Sequence, residues 1–236
     1  MAYIYEHIRT RGYEPIHFER HYTHLKELAQ RMLHTPLKVD RNTLKTEIAE
    51  TLRRNRYSER VTNSVKVCFD ANEITITGIE EVLYNDFAVR AIRPTIGDIE
   101  RVAKGSSLLE NCSAKEAMRE WHYTRNLQLD YPNSLTIWST NEDEVVAIDG
   151  SPVIAVFEGE IRFAEGGSGV EFDLAYEVAS RGRNARRAPL MLSELAQAKE
   201  LLFVDHRGIT AIESWGERLY MDITASHLAS MINAER

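Results

Sequence analysis

Three stretches of this sequence hold residue types and spacings that can do chemistry. Lys104 stands beside Gly105 and two serines, between a linker and a helix. A lysine at a domain junction can be shielded from water. Desolvation then lowers its pKa and frees a neutral amine for Schiff-base chemistry. The plain alternative is a solvated lysine. Gly166-Gly167-Ser168-Gly169 runs straight into a helix. Free N–H groups and the dipole at a helix start attract phosphate, and glycines let the backbone come close. A simple turn accounts for the same composition, and Glu171 in the first helical turn would repel an anion. His17, His21 and His24 are spaced i, i+4 and i+7. Such spacing can turn imidazoles to one side to hold a metal. No further ligand is evident and His17 precedes the helix, so no metal site is expected.

The elements that must position these residues can be read from periodicity. Residues 3 to 9 read as a strand, with Gly12 and Pro15 marking a turn and 16 to 18 a second short strand. Phe18, Tyr22, Leu25, Ala29 and Met32 recur at spacings of four and three, which predicts a helix over 18–33 with one buried face. Pro36 ends it. A second helix is expected over 41–54, capped by Asp40, with Leu44, Ile48 and Leu52 on one side. Strands follow at 64–69, 73–77 and 87–92. The first domain is then 1–93, a small sheet covered by two helices. Residues 94–105 read as a linker, and 106–236 as a larger second domain. That domain opens with a helix over 107–121 and several short strands within 134–163. A helix over 171–180, a short helix over 193–198, strands at 201–204 and 208–212, and a helix over 222–232 complete it. Strands and helices mix without the regular alternation of a doubly wound sheet, so the fold class is α+β.

Composition narrows the function classes. The chain has 236 residues, 43 % of them hydrophobic and 28 % charged, with a net charge of −7. A net acidic chain argues against a nucleic-acid partner, because phosphate binding needs a basic face. Two cysteines, Cys68 and Cys112, lie far apart and outside metal-ligand spacings. That points to a reducing compartment without a disulfide framework. No stretch reads as a signal peptide or approaches the roughly 18 apolar residues of a membrane span. A cytoplasmic protein without a membrane partner is expected.

The segment from Lys104 to Ala117 carries a resemblance. Lys104, Leu109, Asn111, Ala114 and Lys115 fall on a K-x-x-x-x-L-x-N-x-x-A-K pattern, with Glu116-Ala117 one place early. It is similar to the cofactor-lysine segment of the fold-type IV pyridoxal-phosphate family, the class IV aminotransferases and aminodeoxychorismate lyases. Other segments agree in order. Tyr5-Glu6-His7-Ile8-Arg9 resembles that family's F-E-T-I-R strand, and His21 with Leu25 its H-x-x-R-L helix. Asp143 through Ile161 resembles the stretch ending in N-I-F-x-V-x-D-G-x-L, and Gly167 to Val170 sits where the family has G-I-T-R. Ser193 to Phe203 resembles L-x-E-L-x-x-A-D-E-V-F, and Gly208 to Ile212 the I-T-P-V strand. Together these cover nearly the whole chain.

The resemblance implies a two-domain architecture with the site between the domains. It implies pyridoxal 5'-phosphate as cofactor, an amino acid or amine as substrate, transfer or lyase chemistry, and a homodimer. Lys104 would be the Schiff-base lysine. A carboxylate, Asp149 or Glu144, would face the pyridine nitrogen. Ser168, Gly169 and Val170 would offer N–H groups to the phosphate, with His24 and His206 nearby. Lys115, whose spacing to Asp149 is nearer the family norm, is the second candidate lysine.

The chain also departs from the pattern. His24 replaces the arginine of H-x-x-R-L, Glu171 that of G-I-T-R, and Asp205-His206 a Gly-Thr pair. Ungapped alignment puts Val146 or Ala147 where the glutamate before N-I-F belongs. About ten extra residues lie around Trp121 to Pro132. A charged phosphate contact is worth roughly 1.5–3 kcal/mol, so two losses would weaken cofactor binding by about two to four powers of ten. Arg20, His24 and Arg60 are possible replacements. The alternative expectation is a degenerate, non-catalytic member of the same fold that binds a ligand or partner.

Overall fold

The structure, a computed structural model, describes residues 2–81 and 87–235. The chain forms two compact units. The first spans residues 1–86 and takes in 111–114. The second comprises 87–110 and 115–236.

In the first unit, strands β1 (Ile4–Arg11), β2 (Glu14–Pro15), β3 (Thr62–Phe69) and β4 (Ile74–Glu81) form one antiparallel sheet in the order β2-β1-β3-β4. Helices α1 (Phe18–Met32) and α2 (Arg41–Arg54) supply the other half of its core. Leu25 and Leu28 of α1 and Leu44, Ile48 and Leu52 of α2 pack with Ile4, Ile8, Val65 and Val67. Each such side chain, fully buried, contributes on the order of 1.5–3 kcal/mol. The α2 start is set as expected. The Asp40 side chain accepts from the N–H groups of Asn42 at 3.0 Å and Thr43 at 3.1 Å, which satisfies two of the unpaired donors of a helix start.

The second unit stacks two five-stranded sheets. One has the order β14-β13-β5-β6-β7, from β5 (Thr95–Arg101), β6 (Ser134–Ser139), β7 (Val145–Ile148), β13 (Ser214–Trp215) and β14 (Arg218–Leu219). The other has the order β10-β9-β8-β11-β12, from β8 (Val153–Phe157), β9 (Glu160–Ala164), β10 (Ala185–Ala188), β11 (Glu200–Asp205) and β12 (Gly208–Ala211). Ile96, Ile137, Val145 and Ile148 of the first pack against Val153, Ala155, Leu201 and Phe203 of the second. On the far face of the second sheet, Phe172 and Val178 of α4 (Val170–Gly182) meet Leu228 and Ile232 of α6 (Ile223–Ala234). On the far face of the first, Trp138, Val146 and Ala147 are covered by Leu108, Leu109 and Met118, the last from α3 (Ser113–Gln128). The single turn α5 (Leu192–Leu195) completes the helices.

Two differences from the sequence reading matter. Strand β5 lies inside the stretch that reads as a linker, because parallel pairing to β6 gives its backbone partners despite a weak apolar pattern. Residues 87–92 form no extended strand; Val89 makes an isolated bridge to Ile209, and Ile92 is exposed.

Strand direction positions the site residues. β5 and β6 run parallel and β7 runs back. One end of this three-strand ribbon therefore carries the residues after β5 and before β7. The other carries the residues before β5 and β6 and after β7.

Candidate active site

Lys104 follows β5 in a turn that Gly105 closes at a φ of +70°, in the region glycine enters without steric cost. Its ammonium donates to Glu144 Oε2 at 2.7 Å. Glu144 immediately precedes β7, and its position is fixed by its own N–H, which donates to Thr140 Oγ1 at 3.3 Å. The lysine side chain is 67 % exposed and the glutamate 11 %. The hydrogen bond and charge of Glu144 hold the Lys104 amine above the ordinary lysine range, and Glu165 and Glu142 add to the effect. This is the reverse of the desolvation expected for that amine. Glu165 opens the loop to Gly169, so that loop lies within electrostatic reach of Lys104.

The loop leads into α4. Gly169 takes the cap position at φ +127° with open space where a Cβ would stand. No side chain caps the helix. Ser168 is exposed and Val170 buried. Glu171 and Asp173 occupy the first turn, and Arg187 pairs with Asp173. The helix start thus lacks a side-chain cap, and the carboxylates in its first turn oppose an anion there.

Asp149 follows β7 at the opposite end of the ribbon. Five residues of extended chain separate it from Glu144, about 16 Å at roughly 3.3 Å per residue. Glu144 therefore shares an end of the ribbon with Lys104, while Asp149 lies at the other end, next to Gly150, over which the Lys115 stem packs. Asp149 Oδ1 accepts from the Thr136 N–H at 3.0 Å. Burial pushes its carboxyl up, against the opposing charges of Arg119, His122 and Arg207. His206 is buried in the β11–β12 turn beside Asp205. Burial works to raise Asp205, but the Arg207 guanidinium, whose Nη2 donates to it at 2.7 Å, and His206 hold it well below the usual carboxylate range.

His24 belongs to the first unit. Its Nδ1–H and that of His21 donate to the buried Glu6 carboxylate at 2.9 and 2.7 Å. Burial works to raise Glu6, and the charge of His24 with both hydrogen bonds outweighs it, leaving the carboxyl far below its usual range. The two histidines thus serve a buried acid. Among the described residues no group of three or more His, Cys, Asp or Glu could hold a metal ion.

Lys115 is buried at 5 % exposure. Its amine donates to the Leu109 carbonyl at 3.4 Å, and its stem fills the space above Gly150, where a Cβ would meet Lys115 Cε at 2.7 Å. Sequence reasoning missed Arg90, Arg119 and Arg207, which line a cavity with Asp149. They come from a loop, a helix and a turn, and no local spacing links them. Among the described residues no helix is long and apolar enough to cross a membrane.

No family model and no curated protein sequence matches the chain. Solved structures do. A hypothetical aminotransferase from Mycobacterium tuberculosis, in its PLP-bound form, superposes with a TM-score of 0.77 at 12 % identity, over 98 % of this chain and 88 % of that one. The branched-chain aminotransferase of Thermoproteus uzoniensis gives 0.78 at 15 % identity, over 98 % and 84 %. A candidate 4-amino-4-deoxychorismate lyase from Legionella pneumophila gives 0.76 at 10 % identity, over 99 % and 91 %. With its α+β architecture, the chain has the fold-type IV fold of the class IV aminotransferases and aminodeoxychorismate lyases.

Proposed function

We propose that the protein binds pyridoxal 5'-phosphate and acts on an amino acid or related amine, as an aminotransferase or an aminodeoxychorismate-lyase-like enzyme. The observation that carries this reading is the Lys104–Glu144 pair, an amine and a buried carboxylate 2.7 Å apart in a fold shared with a PLP-bound aminotransferase. In this reading Lys104 would take the aldehyde end of the cofactor and the uncapped start of α4 its phosphate end. The cofactor supplies an aldehyde and an electron-accepting ring. Lys104 would supply the nucleophile. Only its neutral form can attack a carbonyl, so its proton must first leave. Glu144 is within reach to accept that proton. The amide N–H groups of Gly169 and Val170 would hold the phosphate, aided by the α4 dipole.

A second reading is a non-catalytic relative of the same fold. It is favoured by the acidic surroundings of Lys104 and by Val146 and Ala147, both buried in an apolar cluster, one of which ungapped alignment puts where the family has its pyridine-facing glutamate. Spectral titration separates the two. Pyridoxal phosphate added to the wild type should raise a visible absorbance band that persists in Lys115→Ala and disappears in Lys104→Ala. A protein that stays colourless at saturating cofactor supports the non-catalytic reading.

A further inference from the structure

We infer that Arg101 is a positioning residue for the proposed site: it clamps the β6–β7 turn so that the Glu144 carboxylate stays on the Lys104 amine. This rests on the reading of Lys104 as the reactive amine, and it adds a residue that acts on that amine through Glu144.

Arg101 ends β5 and stands three residues before Lys104. The two cations grip one turn side by side. Lys104 takes Glu144 at 2.7 Å. Arg101 takes the preceding acid, Asp143, with its Nη2 2.6 Å from Oδ1. Its Nη1 donates to the Thr140 carbonyl at 2.6 Å and to the Ser139 hydroxyl at 3.1 Å. One guanidinium thus holds the last residue of β6, the residue after it and the side chain that closes the turn. The planar fork of arginine serves several acceptors at once, which the point charge of a lysine cannot.

The groups that Arg101 holds are the ones that place Glu144. The Thr140 N–H donates to the Glu144 carbonyl at 2.8 Å. Thr140 Oγ1 accepts from the N–H groups of Glu142 at 3.2 Å and Glu144 at 3.3 Å. Asp143 closes the turn with its N–H donating to the Thr140 carbonyl at 3.1 Å, and its φ is +65°. That conformation is uncommon for a residue other than glycine, and the ion pair to Arg101 supports it. Leu192 braces the same turn from a neighbouring segment, its N–H donating to the Asp143 carbonyl at 2.9 Å. Three acids follow one another here, Glu142, Asp143 and Glu144. Arg101 engages the middle one, and the buried Glu144 is left for Lys104. Glu142 and Glu165 act on the amine through charge alone.

A charge effect and a positioning effect differ in sign, so a titration of the amine separates them. Removing a nearby positive charge raises a lysine, and loosening its carboxylate partner lowers it. The full chain would be reductively methylated with isotope-labelled formaldehyde and its lysine signals followed by NMR across pH. The Lys104 signal is assigned by its loss in Lys104→Arg. In the wild type it should titrate above the other exposed lysines. Arg101→Gln should move it down toward them, and so should Arg101→Lys, which keeps the charge and loses the fork. Arg125→Gln, which breaks a similarly exposed pair to Asp98, should leave it in place. Thermal melts matching the wild type show that the variants are folded, and Arg101→Lys carries the test alone if Arg101→Gln is not. A Lys104 signal that stays or rises in Arg101→Gln, or an Arg101→Lys protein that titrates as the wild type does, overturns the inference. The titration needs no cofactor. A wild type that stays colourless with pyridoxal phosphate while the Arg101 variants lower the amine removes the enzymatic reading and leaves the positioning. A coloured wild type with no downward shift in the variants does the reverse.

Discussion

The two ends of the β5–β6–β7 ribbon use the same kinds of side chain to opposite purposes. At one end a single lysine stands among carboxylates, exposed, its amine raised by Glu144. At the other, Arg119 and Arg207 act on two half-buried aspartates, one pushed up by burial and one held down by a guanidinium. Replacing the exposed lysine should cost little stability, since its pair with Glu144 is open to solvent on the lysine side. The buried end cannot lose a partner without leaving a charge uncompensated. The proposed chemistry is thus separated from the Arg207–Asp205 charge pair by the length of one strand.

Several measurements break or sharpen that contrast. The largest expected effect is Arg207→Ala, which strips Asp205 of its partner and should cost about 3 kcal/mol of stability, read as a lower urea midpoint. A midpoint within error of the wild type would mean that the arginine end is not held by charge pairing. Next is Asp149→Asn. A carboxyl raised in the folded state gives stability that is complete below its unfolded pKa of about 4 and lost as pH rises through the folded value. The variant should therefore match the wild type near pH 4 and exceed it toward neutral pH, in denaturation midpoints taken across that range. Asp205 has the reverse sign. Its lowered carboxyl stabilises above about pH 4, and that contribution is lost as pH falls. Glu144→Gln should leave the midpoint nearly unchanged and return the Lys104 amine toward the ordinary lysine range. The pH dependence of cofactor attachment then moves to lower pH, measured as the initial rate of absorbance change. The smallest effect is Lys104→Ala, whose melting curve should overlay the wild type.

Much of this was legible in the sequence where local chemistry decides. Asp40 before a helical pattern is a cap, and Leu44, Ile48 and Leu52 at spacings of four are a buried face. The collinear motifs placed the fold because they follow element order, which survives at 12 % identity. The site was legible in part. Lys104 and Glu144 were both candidates, but only the antiparallel return of β7 shows that Glu144 shares an end with Lys104 and that Asp149 does not. β5 was read as a linker because Thr95, Gly97 and Asp98 hide an edge of parallel pairing that no local pattern reveals. The arginine cavity was invisible for the same reason, since residues 90, 119 and 207 converge only through sheet topology.

Chemical trapping addresses the proposed lysine most directly. The purified protein would be incubated with pyridoxal phosphate, reduced with borohydride, digested and mapped by mass spectrometry. The expected result is a phosphopyridoxyl group on the peptide containing Lys104, at near one equivalent per chain. A label on Lys115, or label scattered over exposed lysines with none enriched at Lys104, would contradict it.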